Sequence, residues 1–204
     1  MEKENIFKKL KCFYEKLFKR IINIIINPKV ELKTILDENP KQTTLVFGYA
    51  LFLGAIPLLS CIVFSFFKVQ ESDKHFYFVR GLIEFIFTFI SIYFVSWIIE
   101  LLANNFNSEK NYLRSIQLIT FSLTPYYITG VLFLFGIQTT TIINVSGIYS
   151  YYIIYLGLPM FKKTPADKSI QYFIITSIIL LAIRSIKTYA FGLLYELFIK
   201  FVWS

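Results

Sequence analysis

The sequence predicts an all-α protein, a polytopic transmembrane helical bundle of about five spans preceded by an N-terminal amphipathic helix in the membrane interface. Three observations predict it. Hydrophobic residues make up 56% of the 204 positions and charged residues only 17%, against roughly 25% charged in soluble domains. Long uncharged runs recur, and crossing a bilayer takes about 20 such residues. The basic residues that give a net charge of +8 gather in the N-terminal segment and at the ends of those runs, where they set topology and meet anionic lipid.

Residues 1–41 form a basic amphipathic helix and a linker. Ile6, Leu10, Phe13, Leu17, Ile21 and Ile24 recur at helical spacing, while Lys8, Lys9, Lys16, Lys19 and Arg20 fall mostly on the other side. These cations are the candidate contacts with a lipid surface. The alternative is a helix packed on the protein's own cytoplasmic face. Pro28 ends the segment. Seven Lys and Arg in the first 20 residues, with Asn27–Pro28 after a short apolar stretch, do not read as a cleavable signal peptide.

The membrane domain is expected over residues 42–189. The first span is Gln42–Phe67, uncharged, with Pro57 as a candidate kink and Ala50 and Gly54 as a small-xxx-small pair for close helix contact. The second is Gly81–Ala103, carrying Glu84 near one end and Glu100 near the other. Ser115–Phe161 holds no charge over 47 residues, enough for two spans. The break is placed in the polar stretch 136–147, giving span three at Ile116–Phe135 and span four at Ile142–Phe161. Pro125 interrupts span three and is a second candidate kink. Span five is Ile170–Tyr189, and residues 190–204 form a C-terminal interfacial extension. Placing the N-terminus in the cytoplasm leaves 15 Lys and Arg inside against 6 outside, which puts the C-terminus across the membrane.

Charges within spans cost about 2.5–3.5 kcal/mol each at a helix centre. Glu84, Glu100 and Arg184 are therefore the candidate intramembrane polar residues, with Lys187 one turn beyond Arg184. Each either reaches the interface, or joins a structural pair such as Glu84 with Arg184, or lines a transport path. Tyr155 sits deep in a tyrosine-rich fourth span, and its hydroxyl calls for a partner. Cys12 is a weak lipidation signal, and Asn144 opens a sequon in a short loop.

Catalytic, cofactor-binding and metal-ligating patterns are absent from the sequence. It has one His and two distant Cys, no phosphate-binding Gly loop and no hydrolase signature. No basic stripe lies on a polar domain, which argues against nucleic acid. The expected partners are membrane lipids together with a protein partner or a second copy of the chain.

Two segments carry a family likeness: Phe121–Gly130 (F-S-L-T-P-Y-Y-I-T-G), and Gly147–Ile170 with its tyrosines, Gly157, the Lys162–Lys163 turn, Ala166 and Lys168. With the basic tail, Asn27–Pro28 and five spans, the chain resembles the YIP family of Rab-interacting membrane proteins over residues 25–190. The resemblance implies a helical membrane domain without catalytic residues. Eukaryotic members resemble adaptors in vesicle traffic and carry an acidic-aromatic Asp-Leu-Tyr-Gly-Pro-like motif near span one, which this sequence lacks. The bias to Ile, Lys, Asn, Phe and Tyr points to a bacterial member in a cytoplasmic membrane. The expected function is a non-enzymatic scaffold or interaction protein in membrane organisation or trafficking. The alternative is a small transporter, channel or lipid-moving protein.

Overall fold

The computed structural model describes the backbone of residues 2–67, 71–135 and 140–202, and the side chains of 14–67, 74–135, 146–197 and Lys200. Among the described residues every regular element is helical. In chain order these are α1 (Glu2–Ile26), α2 (Pro28–Glu38) and α3 (Leu51–Phe67), the last preceded by a π-helical run over Thr44–Ala50. Then come α4 (Glu71–Leu102), α5 (Tyr112–Ser122), α6 (Thr124–Thr129), α7 (Thr140–Lys162) and α8 (Ala166–Val202). Short 3₁₀ turns follow α4 (Ala103–Phe106) and α6 (Gly130–Phe135).

Four helical runs among the described residues are long and apolar enough to cross a membrane: Thr44–Phe67, Lys74–Phe106, Tyr112–Phe135 and Ala166–Leu197. They contain spans two, three and five of the sequence reading and all of span one but Gln42 and Thr43. The fourth expected span lies within α7, whose 23 residues extend about 35 Å, enough for a hydrocarbon core of about 30 Å. Large apolar side chains stay uncovered along α4 (Phe78, Ile86, Phe94, Trp97) and α8 (Ile174, Ile178, Leu181). A soluble monomer does not leave belts of that extent open to water. The chain is a multi-pass integral membrane protein.

The third span is not one helix. It breaks at Leu123, whose amide still donates to the Ile119 carbonyl at 3.1 Å. Pro125 lacks the N–H that would continue the ladder and sits in the first turn of α6, where that loss is harmless. Pro57, by contrast, lies inside an unbroken α3. At the other end of the chain α8 runs on past Tyr189 to Val202, because Gly192 alone weakens the helical sequence there.

The buried centre is α5, with every residue from Ser115 to Ser122 buried. Around it pack Ile92 and Ile99 of α4, Ile153 and Leu158 of α7, and Tyr172 of α8. Helices approach closely where side chains are small. A Cβ at Gly54 would meet Thr88 Cγ2 at 3.0 Å, and one at Gly130 would meet the Pro57 ring at 2.8 Å.

The N-terminal pair α1–α2 lies against this bundle. Leu17, Ile21 and Ile24 of α1 and Leu32 and Ile35 of α2 are part of the same core. Tyr14 touches the Phe52 ring at 6.1 Å, and the Tyr149 hydroxyl donates to the Ile25 carbonyl at 2.6 Å. So α1 bridges the first and fourth spans. Its other apolar side chains, Phe18, Ile22 and Ile26, stay exposed. One face of the helix therefore packs on the protein, and a second apolar face stays uncovered.

Candidate functional site

Two polar clusters sit within the bundle, one near the middle of α4 and one near its C-terminal end. The first is built on Glu84, sixteen positions and about 24 Å from the second at Glu100.

At the Glu84 cluster, Lys187 of α8 places its Nζ 2.7 Å from Glu84 Oε2. The Tyr126 hydroxyl of α6 donates to the same oxygen at 3.0 Å, while Lys187 also reaches the Tyr126 hydroxyl at 2.5 Å. Both charged side chains are mostly covered, at 14% exposure for Lys187 and 11% for Glu84. Three helices are thus tied by one carboxylate. In lipid, pairing removes most of the cost of carrying either charge alone. Nearby, Arg184 lies 5.8 Å from the Tyr126 ring and Arg80 lies 5.0 Å from the Phe133 ring, the arrangement of cation–π contacts.

At the other cluster, the wholly buried Lys162 of α7 donates to Glu100 Oε2 at 2.6 Å. It also reaches the Asn111 carbonyl at 3.3 Å. The Ser115 hydroxyl donates to the same Glu100 oxygen at 3.0 Å. The Glu109 amide donates to the Lys162 carbonyl at 2.7 Å, so the loop before α5 is pinned to the end of α7. In that exposed loop the Lys163 ammonium, hydrogen-bonded to Glu109 at 2.7 Å, holds the Glu109 carboxyl below its ordinary range.

A third network ties α1 to α2. Arg20 Nε donates to Glu31 Oε1 at 3.2 Å and its Nη2 to Glu38 Oε2 at 2.5 Å, and Asn23 donates to Glu31 Oε2 at 2.9 Å. The Arg20 guanidinium also lies 5.6 Å from the Phe121 ring. Its hydrogen bond holds the Glu38 carboxyl below the usual carboxylate range.

The expected site residues fall as follows. Glu84 and Arg184 come together on the wall of one cavity of about 70 Å³ between α4, α6, α7 and α8, shared with Lys187, Ser150 and Tyr151. The ion partner of Glu84 is Lys187, one turn beyond the Arg184 that the sequence suggested. Glu100 lies in the separate second cluster. Arg20 turns inward to carboxylates, whereas Lys16 and Lys19 are exposed. The side chains of Lys8, Lys9, Cys12 and Asn144 lie outside the described residues. Tyr155 is 43% exposed and meets the Phe173 ring edge-on at 5.4 Å. Among the described residues no three His, Cys, Asp or Glu gather as a metal site.

Sequence reasoning passed over Lys162 as part of a basic turn. Its signal was periodicity: Gly157, Leu158, Phe161 and Lys162 share the buried face of α7. Lys187 likewise continues the buried face Tyr172, Thr176, Leu180 and Ile183 of α8, while Arg184 sits beside it.

No curated protein and no solved structure matches the chain. The family model of the Yip1 domain matches residues 22–185, more than half of the chain, covering α2, the Glu100–Lys162 cluster, and Glu84 and Tyr126 of the other cluster, and ending two residues before Lys187. The chain is a member of the Yip1 domain family.

Proposed function

We propose that this chain is a non-enzymatic membrane scaffold, an interaction protein that organises a membrane or serves traffic within it. The observation that carries the reading is the closed Glu84–Lys187 pair at 2.7 Å. A carboxylate that shuttles protons or binds a transported cation has to exchange partners, and this one is held by a lysine and a tyrosine from two other helices. Glu100 is closed in the same way by Lys162. The clusters thus support a role as ties between spans. The scaffold would sit in a bacterial cytoplasmic membrane with its N-terminus inside and its C-terminus opposite. Its contacts would be lipid along α4 and α8, and a protein partner or second copy.

A small transporter is the second reading, favoured by the cavity that Glu84, Arg184 and Lys187 share. Proteoliposome flux separates the two. The scaffold predicts ion and proton flux at the level of empty vesicles, unchanged in Glu84→Gln. A flux that Glu84→Gln abolishes would establish transport. Affinity capture of the intact protein in mild detergent, read for a partner at fixed stoichiometry, is the positive test.

A further inference from the structure

We propose that the groove between α1 and the first span holds one acyl chain of a membrane phospholipid. Phe18 and Ile22 of α1 form one wall, Phe52 of α3 forms the other, and the buried Leu17 is the floor. At one end the Tyr14 ring stands 6.1 Å from the ring of Phe52. The groove stays open because the later half of α1 is fixed in direction. Arg20 and Asn23 bond Glu31 of α2, and Tyr149 donates to the Ile25 carbonyl. Swinging the helix onto α3 to close the gap would stretch those bonds.

What fills the groove follows from the surface it joins. Phe52, Leu59, Val63 and Phe66 recur at helical spacing and are all exposed, one stripe along α3. In a span long and apolar enough to cross a membrane, such a stripe faces lipid. The groove begins where the stripe ends, at Phe52, so an acyl chain lying on the span continues into it without crossing a polar surface. Size points the same way. The lining runs along α1 from Tyr14 to Asn23, about 14 Å, close to half of a hydrocarbon core of about 30 Å. Spread over that length, a volume of about 530 Å³ leaves a channel about 6–7 Å across. A helix with its side chains needs about 10–12 Å, so the channel takes one extended chain and not a partner helix. Water finds few hydrogen bonds on such walls. Glu15 and Lys19, of opposite charge, edge the groove, so it does not favour an anionic head over a zwitterionic one. The site lies beyond the scaffold reading and stands or falls separately from it.

Native mass spectrometry of the full chain, released from vesicles of equimolar phosphatidylglycerol and phosphatidylcholine, tests it. One phospholipid of either head should stay on the wild type at a collision energy that strips the rest. Ile22→Trp, which fills the groove, and Phe52→Ala, which removes a wall, should each lower its retention about tenfold, the equivalent of uncovering about two methylenes. Ile178→Trp, the same exchange on the open face of α8, should leave retention unchanged. Thermal unfolding identifies a variant that has failed to fold, and Phe52→Ala decides if Ile22→Trp is one. The proposal is overturned if the wild type keeps no phospholipid, or if a folded Ile22→Trp and Phe52→Ala keep it in full. An equal loss in Ile178→Trp overturns it, as does a preference of tenfold or more for phosphatidylglycerol, which would assign retention to the head. So does a second copy or another protein held in place of lipid and released by Ile22→Trp.

Discussion

Lys187 closes on Glu84 at 2.7 Å from 103 positions away in the chain, so the last span is latched to the second through a single carboxylate. Removing one member leaves the other charged and buried, which costs roughly 3–5 kcal/mol in proteins. Glu84→Gln and Lys187→Gln should each lower the unfolding temperature in nanodiscs. The double variant should be no worse than either single one. Simple additivity in that cycle would mean the two side chains do not depend on one another. The cycle of Glu84→Gln with Arg184→Gln should come closer to additive, because Arg184 lies on the flank of the buried stripe.

This latch shows how far the sequence could be read. The spans were legible because lipid demands long uncharged runs, and the five expected segments coincide with helical runs. Glu84 and Glu100 were legible as well, since a Glu inside an apolar run stands out, whereas Lys162, at the edge of its run, was not. What each one touches depends on helix rotation. Hydropathy alone does not report it, and Arg184 and Lys187 differ only in which side of α8 they occupy. The inward turn of Arg20 was hidden for the same reason. A basic helix beside a membrane reads as lipid-facing until its carboxylate partners, Glu31 and Glu38, fold back on α2.

The second latch should behave as the first does, with a visible effect on a loop. Lys162→Met removes the ammonium that Glu100 and the Asn111 carbonyl share. The expected loss is again roughly 3–5 kcal/mol. Hydrogen exchange should rise over residues 107–114. Lys162→Met combined with Glu100→Leu should recover much of the stability, since no unpaired charge then remains. Failure to recover would point to packing as the main contribution of Lys162.

Close approach of spans one and three rests on Gly130. An added methyl there meets the Pro57 ring at 2.8 Å and its Cα at 3.1 Å, and neither can swing away. At Gly54 the obstacle is a Thr88 methyl at 3.0 Å, which rotates more readily. Gly130→Ala should therefore destabilise by about 1–3 kcal/mol, the usual range for overpacking, and Gly54→Ala by less. Thermal unfolding of both variants in the same lipid decides it, and a larger loss in Gly54→Ala would contradict the geometry.

Attachment of α2 to α1 should depend on pH through Glu38. Its carboxyl is held below the usual carboxylate range, chiefly by the hydrogen bond from Arg20, with Lys16 also facing it. A depressed carboxylate stabilises the folded form above the unfolded pKa, and that contribution is lost as pH falls through the folded value. Amide exchange over residues 16–38 should thus be steady at neutral pH and accelerate below about pH 4.5. In Glu38→Gln the acceleration should be smaller, and attachment already weaker at pH 7. An acid response of full size in Glu38→Gln would place the sensitivity elsewhere.

The exposed apolar face of α1 makes a separate prediction about lipid. Ile26 is 66% exposed, and Phe18 is 65% exposed on the same helix. Lys33 on α2 is exposed too, but polar. If the open face of α1 rests in the acyl region, a cysteine at Ile26 is shielded from a membrane-impermeant maleimide while one at Lys33 is reached. In a background with Cys12 and Cys61 replaced by Ala, Lys33→Cys should label about tenfold faster than Ile26→Cys in vesicles. Detergent solubilisation should narrow the gap, since it is the bilayer that shields Ile26. Equal rates in intact vesicles would mean that this face is open to water, and the contacts of α1 would then lie with the protein alone.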